Sequence, residues 1–313
     1  LSQTVAFSGQ FNYVKKINEH NNLSAMLIAS GFQQSLSGVY HKTSNANLAL
    51  NLSYNFDQKY FAEFNGAYVH SAKFAEGNRE AFSPTMSLAW KLSEEDFLKN
   101  STAVNSLKLS VSGGILNTDL DVSNYYLYES IYNQTDGAWF SWRDGALNRS
   151  TDARRGENLN LGFAKRKELS AGLEGVFFKN LITLNTNFFV NEVTGNVIQP
   201  STLYPNYFVT GWPNTSFLPY VNYNDDERIG FDFDVRFNKK VGSVDLALGF
   251  TGTYINTEAS KRAELYSDSY QNRQGKALDA LWGLRSDGFF RDALDISSSP
   301  SQTFGQVKPG DIK

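Results

Sequence analysis

Alternation with a period of two runs through almost the whole chain. In NANLALNLSYNF, residues 45–56, Ala46, Leu48, Leu50, Leu52, Tyr54 and Phe56 share one parity, and Asn45, Asn47, Ala49, Asn51, Ser53 and Asn55 share the other. Successive side chains of an extended strand point to opposite faces, so this stretch predicts a strand with one apolar and one polar side. The same rule selects Val5, Phe7, Phe11 and Tyr13, then Tyr60, Ala62, Phe64 and Tyr68, then Met86, Leu88, Trp90 and Leu92. It continues through Leu107, Leu109, Val111 and Ile115, through Leu169, Ala171, Leu173 and Phe177, and through Ile182, Leu184, Phe188 and Val190. IGFDFDVRF is the cleanest case, with Ile229, Phe231, Phe233, Val235 and Phe237 set against Asp232, Asp234 and Arg236; Val244, Leu246, Leu248, Phe250 and Tyr254 follow. With weaker candidates near 23–35 and 276–290, the pattern predicts about eleven strands, little helix and hence an all-β chain.

The predicted connections alternate in length. KKINEHNN, DQK, FKN and NKKVGS are tight links, whereas 71–82, 117–160, 197–224 and 256–272 are long. The segment 93–103, SEEDFLKNSTA, interrupts the tight set as a short helical turn. Strands of this kind suit two architectures. A β-sandwich or propeller alternates because one face packs a core, and a transmembrane barrel alternates because one face meets lipid. Short turns at one end and long loops at the other belong to the barrel. So do aromatics at strand ends, where an apolar ring with a polar handle suits the membrane interface: Tyr13, Tyr54, Phe56, Tyr60, Phe61, Trp90 and Phe177. Tyr54 and Phe56, beside the tight turn DQK, are candidates for a periplasmic girdle.

Composition narrows the chemistry. The 313 residues include no Cys, which removes disulfides, zinc–thiolate sites and cysteine nucleophiles together. A net charge of −3 from interspersed charges supplies no field for nucleic acid. The mean hydropathy is only −0.39, and no run reaches the length of an apolar transmembrane helix, but a barrel strand needs an apolar residue only at every second position. His20, His41 and His70 lie in separate segments with no catalytic or metal-ligating partner at motif spacing, and Glu94, Glu95 and Asp96 read as a solvated turn. No phosphate-cradling glycine loop is present, so the residues point to neither an enzyme nor a cofactor or metal site.

Four segments carry a family resemblance. They are FSPTMSLAWKLSEEDFL at 82–98, KRKELSAGLEGVFFKNLITLNTNFFVNEVTGNVI at 165–198, ERIGFDFDVRFNKKVGSVDLALGFTGTYINTEASK at 227–261, and GKALDALWGLRSDGFFRDALDI leading to QVKPGDIK. In order and spacing they resemble the SusC/RagA-type TonB-dependent outer-membrane transporters of Bacteroidetes. The resemblance implies a 22-stranded barrel filled by an N-terminal plug, energised by a TonB complex at the inner membrane and capped by a SusD-like surface lipoprotein. It also implies import of oligosaccharides or peptides across the cell outer membrane, without chemistry on the cargo. The expectation is that residues 1–313 form part of the barrel domain, with plug and C-terminal strands outside the chain. A surface adhesion or structural β-protein, or a passive porin, remains the alternative.

Two loops concentrate exposed-type aromatics. Trp139, Phe140, Trp142 and Arg143 lie in 117–160, and Tyr204, Tyr207 and Trp212 in 197–224. Such side chains stack on a sugar, anchor a protein partner, or pack into a core of the loop itself. In a barrel, Asp232, Asp234 and Arg236 face the lumen, where a plug contact or passing solute meets them.

Overall fold

The structure, a computed structural model, describes all residues except 39–41, 123, 135–137, 142–143, 212–213 and 303–304. The chain divides into two compact units, Leu1–Leu278 and Asp279–Lys313.

The first unit is built on one antiparallel sheet of ten strands. These are β1 (Ser2–Lys16), β2 (Asn21–Leu36), β3 (Thr43–Phe56), β4 (Tyr60–Ser71), β5 (Glu80–Lys91) and β6 (Val104–Thr118). Six short strands then form loop ribbons. They are β7 (Ile131–Asn133) with β10 (Asp152–Arg155), β8 (Trp139–Ser141) with β9 (Leu147–Arg149), and, further along, β13 (Val209–Gly211) with β14 (Asn214–Ser216). The sheet resumes with β11 (Ala164–Phe177), β12 (Ile182–Ile198), β15 (Val221–Val241) and β16 (Val244–Lys261). Each sheet strand pairs with its predecessor in the meander, and β1 and β16 are each paired on one side only.

Register turns the local alternation into continuous rows. One row runs Tyr13, Ala25, Leu52, Phe64, Met86, Gly113, Leu169, Val190 and Ile229, nine adjacent strands with an apolar residue or glycine at every step. A parallel row runs Tyr54, Ala62, Leu88, Val111, Ala171, Phe188, Phe231 and Tyr254. A one-residue slip of any strand would invert its faces, so the shared apolar side fixes the pairing. Most of these side chains are exposed; Met86 is 53% and Phe188 57% accessible.

The tight turns sit at one end. Asp57 and Gln58 both take positive φ, 54° and 56°, the left-handed geometry that a two-residue hairpin needs to match strand twist. Leu92–Glu94 is a 3-10 turn, in keeping with the expectation for 93–103.

A cluster of tightly buried apolar residues of the first unit lies at the opposite end, in the long loops. Phe74, Ala75, Val122, Leu127, Tyr128 and Leu161 form a cluster, with Tyr126, Phe163, Val197 and Tyr220 packed against it. Phe74 and Phe163 meet ring to ring at 4.6 Å. Arg155 ties the loops together by donating to the carbonyls of Glu129 and Tyr126 at 2.9 and 2.7 Å and lying over the Tyr220 ring at 5.7 Å.

One predicted strand is absent. Residues 276–290 contain only the bridge position Phe289, which pairs with Ile312 within the second unit. Gly275, immediately before this stretch, and Gly288 within it take φ of +75° and +100°, which breaks the extended geometry that alternation alone suggested. The second unit also carries a short helix, α1 (Ala293–Ser298), capped by the Asp292 side chain, which accepts from the Asp295 N–H at 2.8 Å.

Candidate functional site

The polar face of the sheet is as continuous as the apolar one. Asn12, Met26, Asn51, Asn65, Thr85, Gly114, Glu168, Asn191, Arg228 and Thr257 form one row across all ten strands, with Met26 the single apolar member. Asn51 donates to Glu63 at 2.7 Å and to Asn65 at 2.6 Å, and Asn191 donates to Glu168 at 2.9 Å. Arg166 adds a 2.6 Å ion pair to Glu168. Gly114 is required where it stands, since a Cβ there would lie 2.3 Å from Thr85 Cγ2 and 2.7 Å from the Pro84 carbonyl oxygen. A hollow of about 420 Å³ opens beside it, lined by Glu63, Asn65, Thr85, Ser87, Arg166 and Glu168 among others.

Asp232, Asp234 and Arg236 stand on this polar side, on alternate positions to Phe231 and Phe233. Asp232 faces Asn187 and Thr253 in register, and Arg236 forms an ion pair with Asp234, its Nη2 donating to Oδ2 at 3.2 Å and its Nε 2.9 Å from Oδ1. Asp232 and Asp234 line a second hollow of about 670 Å³ with Glu174, Asn185, Asn187 and Thr251. Arg236 is absent from that lining, so the three residues share a face without converging on one point.

The aromatic loop residues fall on separate ribbons. Trp139 is 61% exposed on β8, with the Arg149 guanidinium over its ring at 5.5 Å. Phe140, next to it, is opposite Asn148. Tyr207 is 71% exposed, and both it and Tyr204 approach Phe208 at 5.4 Å between ring centroids. Trp142, Arg143 and Trp212 lie outside the described residues, as does His41. The loop core is formed by other residues, Phe74, Val122 and Leu161 chief among them, which were not legible as a group in the sequence. His20 contacts Asp57, and His70 Nδ1 lies 3.0 Å from Glu80 Oε1.

The turn end holds a cluster that sequence reasoning missed. Glu95, in the turn read as solvated, accepts at Oε1 from Tyr60 Oη at 2.7 Å and from Trp90 Nε1 at 3.0 Å, partners that the sequence did not suggest. The two rings are stacked with centroids 6.4 Å apart. Phe56 lies 6.3 Å from Tyr60, placing that predicted girdle residue in the same band, with Tyr54 one row deeper. These donors, Tyr60 first and then Trp90, hold the Glu95 carboxyl below the usual range, and Lys91 does the same for Glu94. The missed signal was spatial, since residues 60, 90 and 95 meet only when β4 and β5 pair in register.

No family model matches the chain. Among curated proteins, "TonB-dependent receptor P3" of Formosa agariphila is 24% identical across 97% of this chain. "TonB-dependent receptor SusC" of Bacteroides thetaiotaomicron is 28% identical across 42% of it. The chain spans only 30% and 13% of those two proteins. Among solved structures, the RagAB peptide importer in its closed-closed state superposes with a TM-score of 0.67, over 88% of this chain and 33% of that one; at 14% identity the likeness is one of fold. These relatives are receptors and transporters rather than enzymes.

Proposed function

We propose that the chain is part of the barrel of a SusC/RagA-type TonB-dependent transporter and that it serves active import across the outer membrane, a reading supported by its similarity to TonB-dependent receptors and by the shared fold of the RagAB importer. The cargo is an oligosaccharide or oligopeptide, received from a SusD-like lipoprotein and drawn inward by a TonB complex acting on a plug.

One observation carries this reading: a ten-stranded sheet with unbroken apolar rows exposed on one side and polar rows on the other. Soluble monomers rarely expose contiguous apolar patches beyond a few hundred Å². On β5 the apolar parity runs from Phe82 to Trp90, eight steps of about 3.4 Å each, or roughly 27 Å, which a tilted strand projects onto the apolar band of a barrel. Tyr60 and Trp90, with polar handles turned to Glu95, suit one rim of that band. The unpaired edges of β1 and β16 would cost several kcal/mol per unsatisfied backbone group in lipid, so in this reading further strands of the same barrel cover them.

The test is labelled-cargo uptake by cells carrying the complete transporter, with and without a functional TonB complex. Uptake that collapses without TonB supports active import. Uptake that persists assigns a passive porin, and surface binding with no uptake in either background assigns an adhesion protein.

A further inference from the structure

The apolar face is not uniform. Near the tight-turn end, Ala62 is a small residue ringed by Tyr54, Tyr60, Leu88, Trp90 and Leu109, and a hollow of about 400 Å³ opens above it. Its walls are held in place, because Tyr60 and Trp90 both donate to Glu95, and Tyr54 Oη donates to Asn21 Oδ1. Tethered, stacked rings lose little further rotamer freedom on gaining a neighbour, so the hollow is ready for an occupant. Immediately beside it the turn mixes both signs. Lys59 Nζ lies 3.7 Å from Glu95, and Lys91 Nζ lies 2.9 Å from Glu94, with Asp96, Phe97 and Lys99 exposed on the same turn.

We propose that this hollow seats one acyl chain of a zwitterionic phospholipid whose headgroup lies over the turn, phosphate toward Lys59, Lys91 and Lys99 and ammonium toward Glu94, Glu95 and Asp96. Two features select that occupant. The hollow is continuous with the exposed apolar rows, so what covers them covers it. Lys59 and Lys91 each pair with a carboxylate beside the hollow, so both signs stand together there, which complements a headgroup carrying both charges better than an anionic one. Phe97, 69% exposed on the same turn, adds an apolar group at interface depth. The proposal rests on the membrane reading above, and on barrels in general the short-turn end faces the periplasmic leaflet.

Trp90 supplies the readout. The complete transporter, and its Trp90→Phe variant to subtract the other tryptophans, is placed in bilayers doped with phosphatidylethanolamine bearing brominated chains or, in parallel, with brominated phosphatidylglycerol. Bromine quenches indole fluorescence on contact. Half-quenching of Trp90 is expected at about threefold less phosphatidylethanolamine than phosphatidylglycerol, the scale of one exposed charge contact. Ala62→Leu fills the floor of the hollow and should bring the two lipids to the same value. Glu95→Gln keeps an acceptor for Tyr60 and Trp90 while removing a charge, and should shift the preference toward phosphatidylglycerol. Equal quenching in the unaltered protein, or a preference that survives both variants, overturns the lipid seat and leaves the membrane reading standing. Absence of quenching by either lipid overturns both.

Discussion

Met86 and Ser87 are neighbours in sequence and stand on opposite faces of β5, which makes them a sharp test of what each face touches. Met86 is the central residue of the apolar series Phe82, Pro84, Met86, Leu88 and Trp90, is 53% exposed, and lies between Phe64 and Gly113 in register. Met86→Arg therefore puts a guanidinium on the apolar row without filling any protein cavity. If that row faces water, the change is an ordinary surface substitution, within about 0.5 kcal/mol. If it faces lipid at mid-depth, the cost is about 2–4 kcal/mol. At 1.4 kcal/mol per decade, that is a loss in the folding constant of roughly 30-fold to several hundred-fold. Ser87→Arg lies between Glu63 and Ser112 on the polar rows and gains a carboxylate neighbour, so it should be close to neutral. The assay is guanidinium-dependent folding of the complete barrel protein into lipid vesicles, with both variants measured beside the parent. Equal stability of Met86→Arg and Ser87→Arg would refute the assignment of faces.

Three further outcomes are expected. Phe74 is fully buried in the loop cluster, and Phe74→Ala should cost that cluster about 3–5 kcal/mol. Limited proteolysis should then open residues 72–79 while the sheet persists, and unchanged loop resistance would mean the cluster does not hold the loops. Trp139→Ala and Tyr207→Ala remove exposed rings, so folding should move by less than about 0.5 kcal/mol. If either ring anchors cargo or the lipoprotein, affinity should fall about tenfold or more, and unchanged uptake and partner capture would remove both from the binding surface. Glu95 has its pKa lowered in the folded protein by Tyr60 and Trp90, so its contribution is present above the unfolded value and lost as pH falls through the folded one. Trp90 fluorescence, taken as the difference from Trp90→Phe, should hold through neutral pH and change only below the ordinary carboxylate range; a transition centred near neutrality would contradict the Glu95 tether.

The period of two was enough to find the ten sheet strands, because adjacent side chains of a strand must face opposite ways whatever the neighbouring strand is. The same rule failed at 276–290, where Gly288 at positive φ interrupts an extended backbone and parity had no strand to describe. The long loops were legible as long, but not their packing: Phe74, Val122 and Leu161 come from distant segments and carry no common motif.

By itself, then, the sequence determined the strands, the parity of each and the uneven rhythm of turns and loops, since all three are local consequences of side-chain direction and turn chemistry. Only the tertiary structure decided which strands stand side by side and at what register. That pairing joins nine separate apolar positions from Tyr13 to Ile229 into one row, and it brings Tyr60 and Trp90 onto a carboxylate that looked merely solvated. The physical reason is that register is settled by the summed burial of whole faces and by hairpin geometry, quantities that no single segment contains.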